Sequence, residues 1–271
     1  MKKIIILCLL VLSAFSLTGC TGKEDIDNKT IKIGATLVPH AEILAVIASE
    51  LLSQGYTLDI VEFTDYVLPN DALANGELDA NFFQHVPYLN TYNTAHGTTL
   101  ISAAAIHFEP LGIYAGTEND LSSITQGSRI AVPNDASNLA RALLLLEDNG
   151  LITLSASSGL NATVLDITSN PYDLEIVEIE AAGIAARLED VAFAVINGNY
   201  ALSSDVTDRL IISELTSSQA AVTYANIIAV RSGTENSAAI LALVAALKSE
   251  AVATFITATY GISVIPVFGI R

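Results

Sequence analysis

The sequence predicts an α/β protein in which most strands run parallel. After residue 30, short runs rich in β-branched residues alternate with longer helical patterns, and this alternation is typical of parallel sheets covered by helices. The helical stretches stop at turn residues, as at Gly55 and at Asn149-Gly150. The chain has 271 residues, which is enough for one large domain or for two lobes.

The elements follow in order along the chain. In the first part, strands are expected at 31–35, 57–63, 80–83, 101–105 and 111–115, and helices at about 40–54, 69–75 and 87–96. In the second part, strands are expected at 128–132, 174–179, 192–196 and 227–230, with helices at 138–148 and 236–257. The apolar stretch 238–247 is too short to cross a bilayer, which takes about 20 residues, so we expect it to be a buried helix.

The N-terminus has the pattern of an export signal. Lys2 and Lys3 precede an apolar run over 4–17, and Gly19-Cys20 completes a lipobox. A transmembrane anchor is the alternative, but this run is shorter than the roughly 20 residues that a spanning helix needs. We therefore expect a signal peptide over 1–19, a lipid on Cys20, and a lipidated tether over 20–30 that holds the protein at the extracytoplasmic face of the cell membrane.

Composition excludes some classes of function. The formal net charge is −17, so a nucleic-acid partner is not expected, because binding phosphates needs a basic face. Both cysteines, Cys8 and Cys20, fall in the predicted signal and lipobox, so we expect no structural disulfide and a fold that rests on its core.

Sequence signatures of enzymes and metal sites are missing. The sequence has no nucleophile elbow, P-loop or zinc-protease motif. Its four histidines lack the close spacing of a metal site; they are His40, His85, His96 and His107. We expect a protein that is not an enzyme and that has no cofactor and no bound metal.

Aromatic residues concentrate in one part of the chain. Seven of the 17 phenylalanines and tyrosines lie between positions 56 and 92. Several stand beside polar side chains, as in Phe83-Gln84-His85, and apolar walls with a few polar groups are typical of small-molecule pockets. Ordinary core packing explains the same pattern equally well.

Arg141 lies in the first turns of the predicted helix over 138–148, three residues after Asn138. This spacing places both side chains on one helix face. A guanidinium near a helix N-terminus is a good receptor for a carboxylate. The alternative is an arginine whose stem packs beside the leucines at 143–146, and the residues alone leave both open.

Several longer segments together resemble one family. They are PHAEIL at 39–44, GELDANFFQH at 76–85, VPND at 132–135, RAL at 141–143, VINGNYA at 195–201 and YANIIAVR at 224–231. The chain resembles the NlpA-type methionine-binding lipoproteins, which are substrate-binding components of methionine ABC importers. The resemblance runs in order from about position 31 to the C-terminus.

The resemblance implies a periplasmic-binding-protein-like fold with two lobes, mixed and largely parallel sheets, and two crossover strands. Lobe 1 would comprise 31–110 and 225–271, and lobe 2 would comprise 111–224. It also implies a set of ligand contacts. In lobe 1 these are Tyr66, Phe83, His85 and Tyr88, which would enclose a thioether. In lobe 2 they are Asn138, Arg141 and Asn197, which with Asn226 at the crossover would bind the carboxylate and ammonium groups.

The function implied is capture of methionine, or a close analogue, by a monomer that delivers it to an ABC permease and its ATPase. Gly183 and Ala185 stand where family members commonly carry Gln and Pro, so the choice of ligand stays open. A methionyl dipeptide or another amino acid is an alternative ligand, and adhesion is an alternative role.

Overall fold

The structure is a computed structural model that describes residues 29–216 and 218–268. The predicted signal peptide, the lipid acceptor Cys20 and nearly all of the predicted tether lie outside the described residues.

The described residues form thirteen strands. In chain order they are β1 Thr30–Thr36, β2 Thr57–Phe63, β3 Ala80–His85, β4 Leu100–Phe108, β5 Gly112–Ala115, β6 Arg129–Pro133, β7 Thr153–Leu154, β8 Ile167–Ser169, β9 Glu175–Ile179, β10 Phe193–Ile196, β11 Leu210–Ser213, β12 Ala225–Arg231 and β13 Ile265–Pro266.

In the same described part of the chain, eight α-helices connect and cover the strands. They are α1 Glu42–Ser53, α2 Leu68–Ala74, α3 Val86–His96, α4 Ala136–Asp148, α5 Gly198–Ser203, α6 Ser218–Thr223, α7 Ala238–Leu247 and α8 Glu250–Tyr260. A tight helical turn over Leu37–Ala41 leads into α1. Short 3-10 turns occupy Leu121–Ser123, Gly159–Asn161, Val164–Asp166, Ala181–Gly183, Ala185–Asp190, Thr207–Arg209 and Gly261–Ser263.

The strands form two main sheets, which confirms the predicted α/β fold with mixed sheets. The first has six strands in the order β13-β4-β12-β3-β1-β2, and the second has five in the order β11-β5-β10-β6-β9. Parallel pairs join β2, β1 and β3 in the first sheet and β9, β6 and β10 in the second. The other five pairs described in these two sheets are antiparallel, so they outnumber the four parallel pairs, and the expectation that most strands run parallel is not met.

The chain passes between the sheets twice. It leaves the first sheet after β4 and enters β5 through residues 109–111, and it returns from β11 to β12 through residues 214–224. Strand β12 therefore lies in the first sheet between β3 and β4, which both come much earlier in the sequence.

The prediction of one long helix over 236–257 is wrong. Two helices, α7 and α8, are bent by 49° at the break between them. Ser249 causes the break, because its side chain accepts a hydrogen bond from the backbone N–H of Val252 and so caps a new helix. The helical pattern resumes after the polar residues Lys248, Ser249 and Glu250, which is why periodicity predicted one helix.

The first core lies between the six-stranded sheet and helices α1, α7 and α8, where Ile33, Ile47, Leu243 and Ile256 are fully buried. Helix α4 packs on the five-stranded sheet in the same way, with Leu143 and Leu146 buried. Among the described residues, no single helix has both the length and the apolar composition to cross a membrane, and only the bent pair of α7 and α8 meets that test jointly.

The fold brings strand ends together in one place. The carboxyl ends of β3, β6 and β10 lead directly into helices α3, α4 and α5 or their caps. The end of β4 and the start of β12 are paired beside them, since Asn226 is in register with His107. Ligands of α/β proteins bind outside the carboxyl ends of strands, so this meeting point is where a site is expected.

Candidate functional site

A cavity lies at this meeting point, and the empty space in and around it, part of it open to solvent, is about 330 Å³. All eight residues predicted to bind ligand line it, and four further residues complete the lining. The predicted residues are Tyr66, Phe83, His85, Tyr88, Asn138, Arg141, Asn197 and Asn226, and the further ones are Gln84, Glu109, Gly198 and Asn199.

Three aromatic rings form one wall. The ring of Tyr66 lies 5.7 Å from that of Phe83 and 5.8 Å from that of Tyr88, and the last two rings are also 5.8 Å apart. The Tyr88 hydroxyl donates to the backbone carbonyl of Tyr66 at 2.8 Å. Tilted and edge-on rings at these distances are favourable pairs, so the wall is held in place by its own contacts.

Tyr66 also joins the two sides of the cavity. Its hydroxyl donates to Asn199 Oδ1 at 2.5 Å, and its ring lies 4.8 Å from that of Tyr200. Burial raises the pKa of Tyr66 well above its usual value, so the hydroxyl stays protonated and acts as a donor.

His85 is fixed by the start of α3. Its Nδ1 accepts a hydrogen bond from the backbone N–H of Tyr88 at 3.2 Å, so the proton lies on Nε2, which donates to Asn138 Oδ1 at 3.2 Å. Burial, together with the nearby Arg141 charge, lowers the pKa of His85 to about 3. His85 is therefore a neutral donor that links α3 to α4 across the cavity.

Asn138 is held from both sides. Its side-chain N–H groups donate to both carboxylate oxygens of Asp135, the residue that caps α4. Its Oδ1 accepts from His85 and, at 2.9 Å, from Asn197 Nδ2. Asn138 is thus a fixed part of the cavity wall.

Asn197 has an acceptor without a partner. Its Oδ1 is buried and makes no hydrogen bond within the described part of the chain, while its Nδ2 is engaged with Asn138. A buried polar atom left unpaired costs about 1–3 kcal/mol. Because Asn197 lines the cavity, this oxygen is available to a ligand that carries an N–H or O–H group.

Arg141 is almost completely buried and is bound to a carboxylate of the chain itself. Its Nε donates to Glu214 Oε1 at 2.7 Å, and its Nη2 donates to Glu214 Oε2 at 2.5 Å. The Nη2 group also donates to the backbone carbonyl of Glu109 at 2.8 Å, and the guanidinium lies 4.4 Å from the ring of Tyr224. The guanidinium is therefore held by Glu214 and by the Glu109 carbonyl, and Arg141 is one of the residues that line the cavity.

A buried group of three ionisable side chains lies behind the cavity. Glu109 Oε1 accepts from His107 Nε2 at 2.7 Å and lies 3.3 Å from His40 Nε2. The same His40 nitrogen lies 3.0 Å from Asn226 Oδ1, and its Nδ1 lies 2.7 Å from the hydroxyl of Thr36. This network fixes Asn226 at the cavity edge.

Burial sets the charge of this group. It lowers the pKa of His40 to about 4 and that of His107 to about 3, so both imidazoles are neutral near pH 7. Burial also raises the pKa of Glu109, while the His40 and Arg141 side chains and a hydrogen bond from the Asn199 backbone act in the opposite direction.

Glu109 and Glu214 are the main residues that sequence reasoning missed. One signal existed for Glu109, because His107 and Glu109 are two positions apart at the end of a strand and so lie on the same face. No local pattern marks Glu214, whose pairing with Arg141 joins positions 73 residues apart along the chain.

Comparison with known proteins gives a consistent result. The family model described as NlpA lipoprotein matches residues 31–268. The chain is 38% identical to the methionine-binding lipoprotein MetQ of Bacillus subtilis, across 98% of this chain and 99% of that protein. A crystal structure of a lipoprotein from Ruminococcus gnavus has a TM-score of 0.87 and 52% identity, and it covers 88% of this chain and 99% of that one.

A further similar structure was solved with a bound ligand. It is a nutrient binding protein from Burkholderia cenocepacia bound to methionine, with a TM-score of 0.82 and 41% identity, covering 88% of this chain and 100% of that one.

Proposed function

The chain belongs to the NlpA lipoprotein family, and we propose that it is a lipid-anchored substrate-binding protein that captures methionine or a close analogue. It delivers this ligand to an ABC permease driven by a separate ATPase. The observation that carries the proposal is the convergence of an aromatic wall, a buried arginine and an unpaired amide oxygen on one cavity.

The cavity matches the chemical parts of methionine. The rings of Tyr66, Phe83 and Tyr88 offer an apolar wall for the thioether, and a sulfur beside an aromatic ring is favourable by about 0.3–1.5 kcal/mol. Arg141 supplies the positive charge for the carboxylate. Asn138, Asn197 and Asn226 place amide groups around the polar end.

The Arg141 role requires a change at Glu214. Both Nε and Nη2 donate to Glu214 in the structure. When ligand binds, either its carboxylate shares the guanidinium with Glu214 or it displaces Glu214. Binding in this account shifts a population of conformations and involves no chemical step. The protein is therefore not an enzyme.

The protein is anchored at its N-terminus and divided into two lobes. Cys20 carries the lipid, the chain works as a monomer at the extracytoplasmic face, and the tether over 20–30 sets its reach. Lobe 1 comprises 31–110 and 225–271 and lobe 2 comprises 111–224, a division supported by the strands that each sheet contains.

Isothermal titration calorimetry on protein that has been unfolded, stripped of ligand and refolded tests the proposal. The panel contains L- and D-methionine, methionine sulfoxide, methionyl dipeptides and other amino acids. We expect heat with methionine or one of its analogues. Binding of an unrelated amino acid alone would contradict the choice of ligand, and binding of none would favour a role in adhesion.

Two variants test Arg141. Replacing Arg141 by Ala removes charge-assisted contacts worth about 1.5–3 kcal/mol, so we expect affinity to fall by roughly 10- to 150-fold. Arg141→Lys keeps the charge without the planar fork and is expected to fall between Ala and wild type. The control is Arg129→Ala, which changes a half-exposed arginine on β6, the strand that precedes α4. This variant is expected to leave affinity unchanged.

A further inference from the structure

The charged side chains at the cavity do not balance once the partner of Arg141 is counted. Among the lining residues, Arg141 is the cation and Glu109 is the carboxylate. Arg141 is already paired in bidentate fashion with Glu214, which lies outside the lining. Glu109 is 5% exposed, and within the described residues no cationic side chain makes a direct contact with its carboxylate.

The surroundings of Glu109 position its carboxylate without neutralising it. His107 Nε2 donates to Oε1 at 2.7 Å, and His40 Nε2 lies 3.3 Å from the same oxygen. The backbone N–H of Asn199 donates to the carboxylate as well. These are dipoles from neutral groups, so they hold the carboxyl group in place without supplying a counter-charge.

The close contact between Gly198 and Glu109 places the neighbouring Asn197, with its unpaired side-chain oxygen, beside the carboxylate. An added Cβ at Gly198 would lie 2.9 Å from Glu109 Cβ and 3.0 Å from its Oε2, so the backbone there contacts the glutamate directly. The preceding residue is Asn197, whose buried Oδ1 makes no hydrogen bond. A carboxylate and an unpaired amide oxygen on adjoining parts of one cavity wall suit a group that is cationic and carries several N–H donors.

A metal ion fits this group less well. One ligand atom from each of His40, His107 and Glu109 lies within 4.8 Å of the others. However, His107 Nε2 and Glu109 Oε1 are 2.7 Å apart, which is a hydrogen-bond distance. Two ligands of a tetrahedral zinc ion at 2.0 Å from the metal stand about 3.3 Å apart.

We propose that Glu109 binds the protonated amino group of the ligand, with Asn197 Oδ1 as a second acceptor, and thereby makes a free amino group a condition of binding. This inference rests on the proposed function and names the feature of the ligand that the site selects. A site with buried acceptors rejects an analogue that lacks the matching donors, because those acceptors are left unpaired.

Calorimetry with three ligands tests the inference. They are L-methionine, its α-hydroxy analogue, in which a hydroxyl replaces the amino group, and N-acetyl-methionine, in which the amino group is an uncharged amide. We expect the wild-type protein to bind methionine at least about 100-fold more tightly than either analogue. Similar affinities for methionine and the hydroxy analogue would overturn the inference and leave the proposed function intact, whereas binding of none of the three would count against the proposed function itself.

The variant Glu109→Gln keeps the size and removes the charge. We expect the ratio of methionine affinity to hydroxy-analogue affinity to fall to within about 10-fold, mainly because methionine binds less tightly. Glu175→Gln, at a half-exposed site on β9, is the matched control and should keep the wild-type ratio. An unchanged ratio in Glu109→Gln would refute the inference, and if this variant does not fold, the wild-type comparison of the three ligands decides alone.

Discussion

The buried ion pair between Arg141 and Glu214 can be broken by a single isosteric substitution, Glu214→Gln. The guanidinium is 4% exposed and the carboxylate is 12% exposed, so water replaces little of the lost interaction. Glu214 Oε2 also accepts from the backbone N–H of Leu111 at 3.0 Å. A glutamine can keep that acceptor role, but it removes the charge that compensates Arg141.

The size of the effect follows from this burial. Removing one partner of a buried ion pair costs about 3–5 kcal/mol. Arg141 keeps its hydrogen bond to the Glu109 carbonyl and its contact with the Tyr224 ring, so we take the lower end, about 3 kcal/mol. For a protein of this size, each kcal/mol lowers Tm by about 2–4 °C. We therefore expect Tm to fall by about 6–12 °C.

The assay is thermal melting of ligand-stripped protein followed by circular dichroism, since the chain contains no tryptophan. The control is Glu175→Gln, which makes the same change in the half-exposed pair between Arg129 and Glu175, whose atoms are 3.3 Å apart. An exposed pair contributes about 0–1 kcal/mol, so that variant should melt within about 4 °C of wild type.

Ligand supplies a second readout of the same substitution. If the carboxylate of methionine binds Arg141, it provides the partner that Glu214→Gln removed, and methionine should raise the Tm of the variant more than that of wild type. Equal melting temperatures for Glu214→Gln and Glu175→Gln, with equal shifts on adding methionine, would refute the reasoning.

Two further predictions concern the buried core of the site. The histidines whose pKa is lowered by burial are His40, His85 and His107. Their folded-state pKa values, at about 3–4, lie below the unfolded value of about 6.5. The neutral forms therefore stabilise the fold above pH 6.5, and this stability is lost as the pH falls toward 4. Melting from pH 7 to 4 should show Tm falling by several degrees per pH unit, reduced in part by protonation of Glu109, and a constant Tm would contradict the assignment. Separately, Gly198→Ala places a Cβ within 3.0 Å of Glu109 Oε2 and should cost about 1–3 kcal/mol and weaken methionine binding, whereas Gly183→Ala, with its nearest atom at 3.7 Å, should do neither.

The sequence predicted the alternation of elements well because each strand and helix carries a local signal. Strand β2 at Thr57–Phe63 and the start of α4 near Asn138 were expected within one or two residues. The break between α7 and α8 was missed because apolar periodicity alone favours one helix. The hydroxyl of Ser249 caps a second helix there instead.

The residues that line the cavity were expected from the sequence, but the hydrogen bonds between them were not. The eight expected residues do line one cavity, and their assignment came from the family resemblance. The partners of Arg141 and Asn138 could not be predicted, because Glu214 and His85 lie at distant positions in the sequence. Pairings of this kind depend on tertiary packing, which no local pattern records.

The central position of β12 determines how the molecule can be divided. Ala225 pairs with Phe108 and Arg231 with Leu100, so the six-stranded sheet is completed by residues more than a hundred positions further along. A fragment that stops before residue 225 lacks both strands that pair with β4, which are β12 and β13, and it exposes β3 as an unpaired edge, which favours aggregation. Neither half of the molecule can therefore be produced by a single cut, and an isolated first half requires a short artificial linker that joins the end of β4 directly to the start of β12.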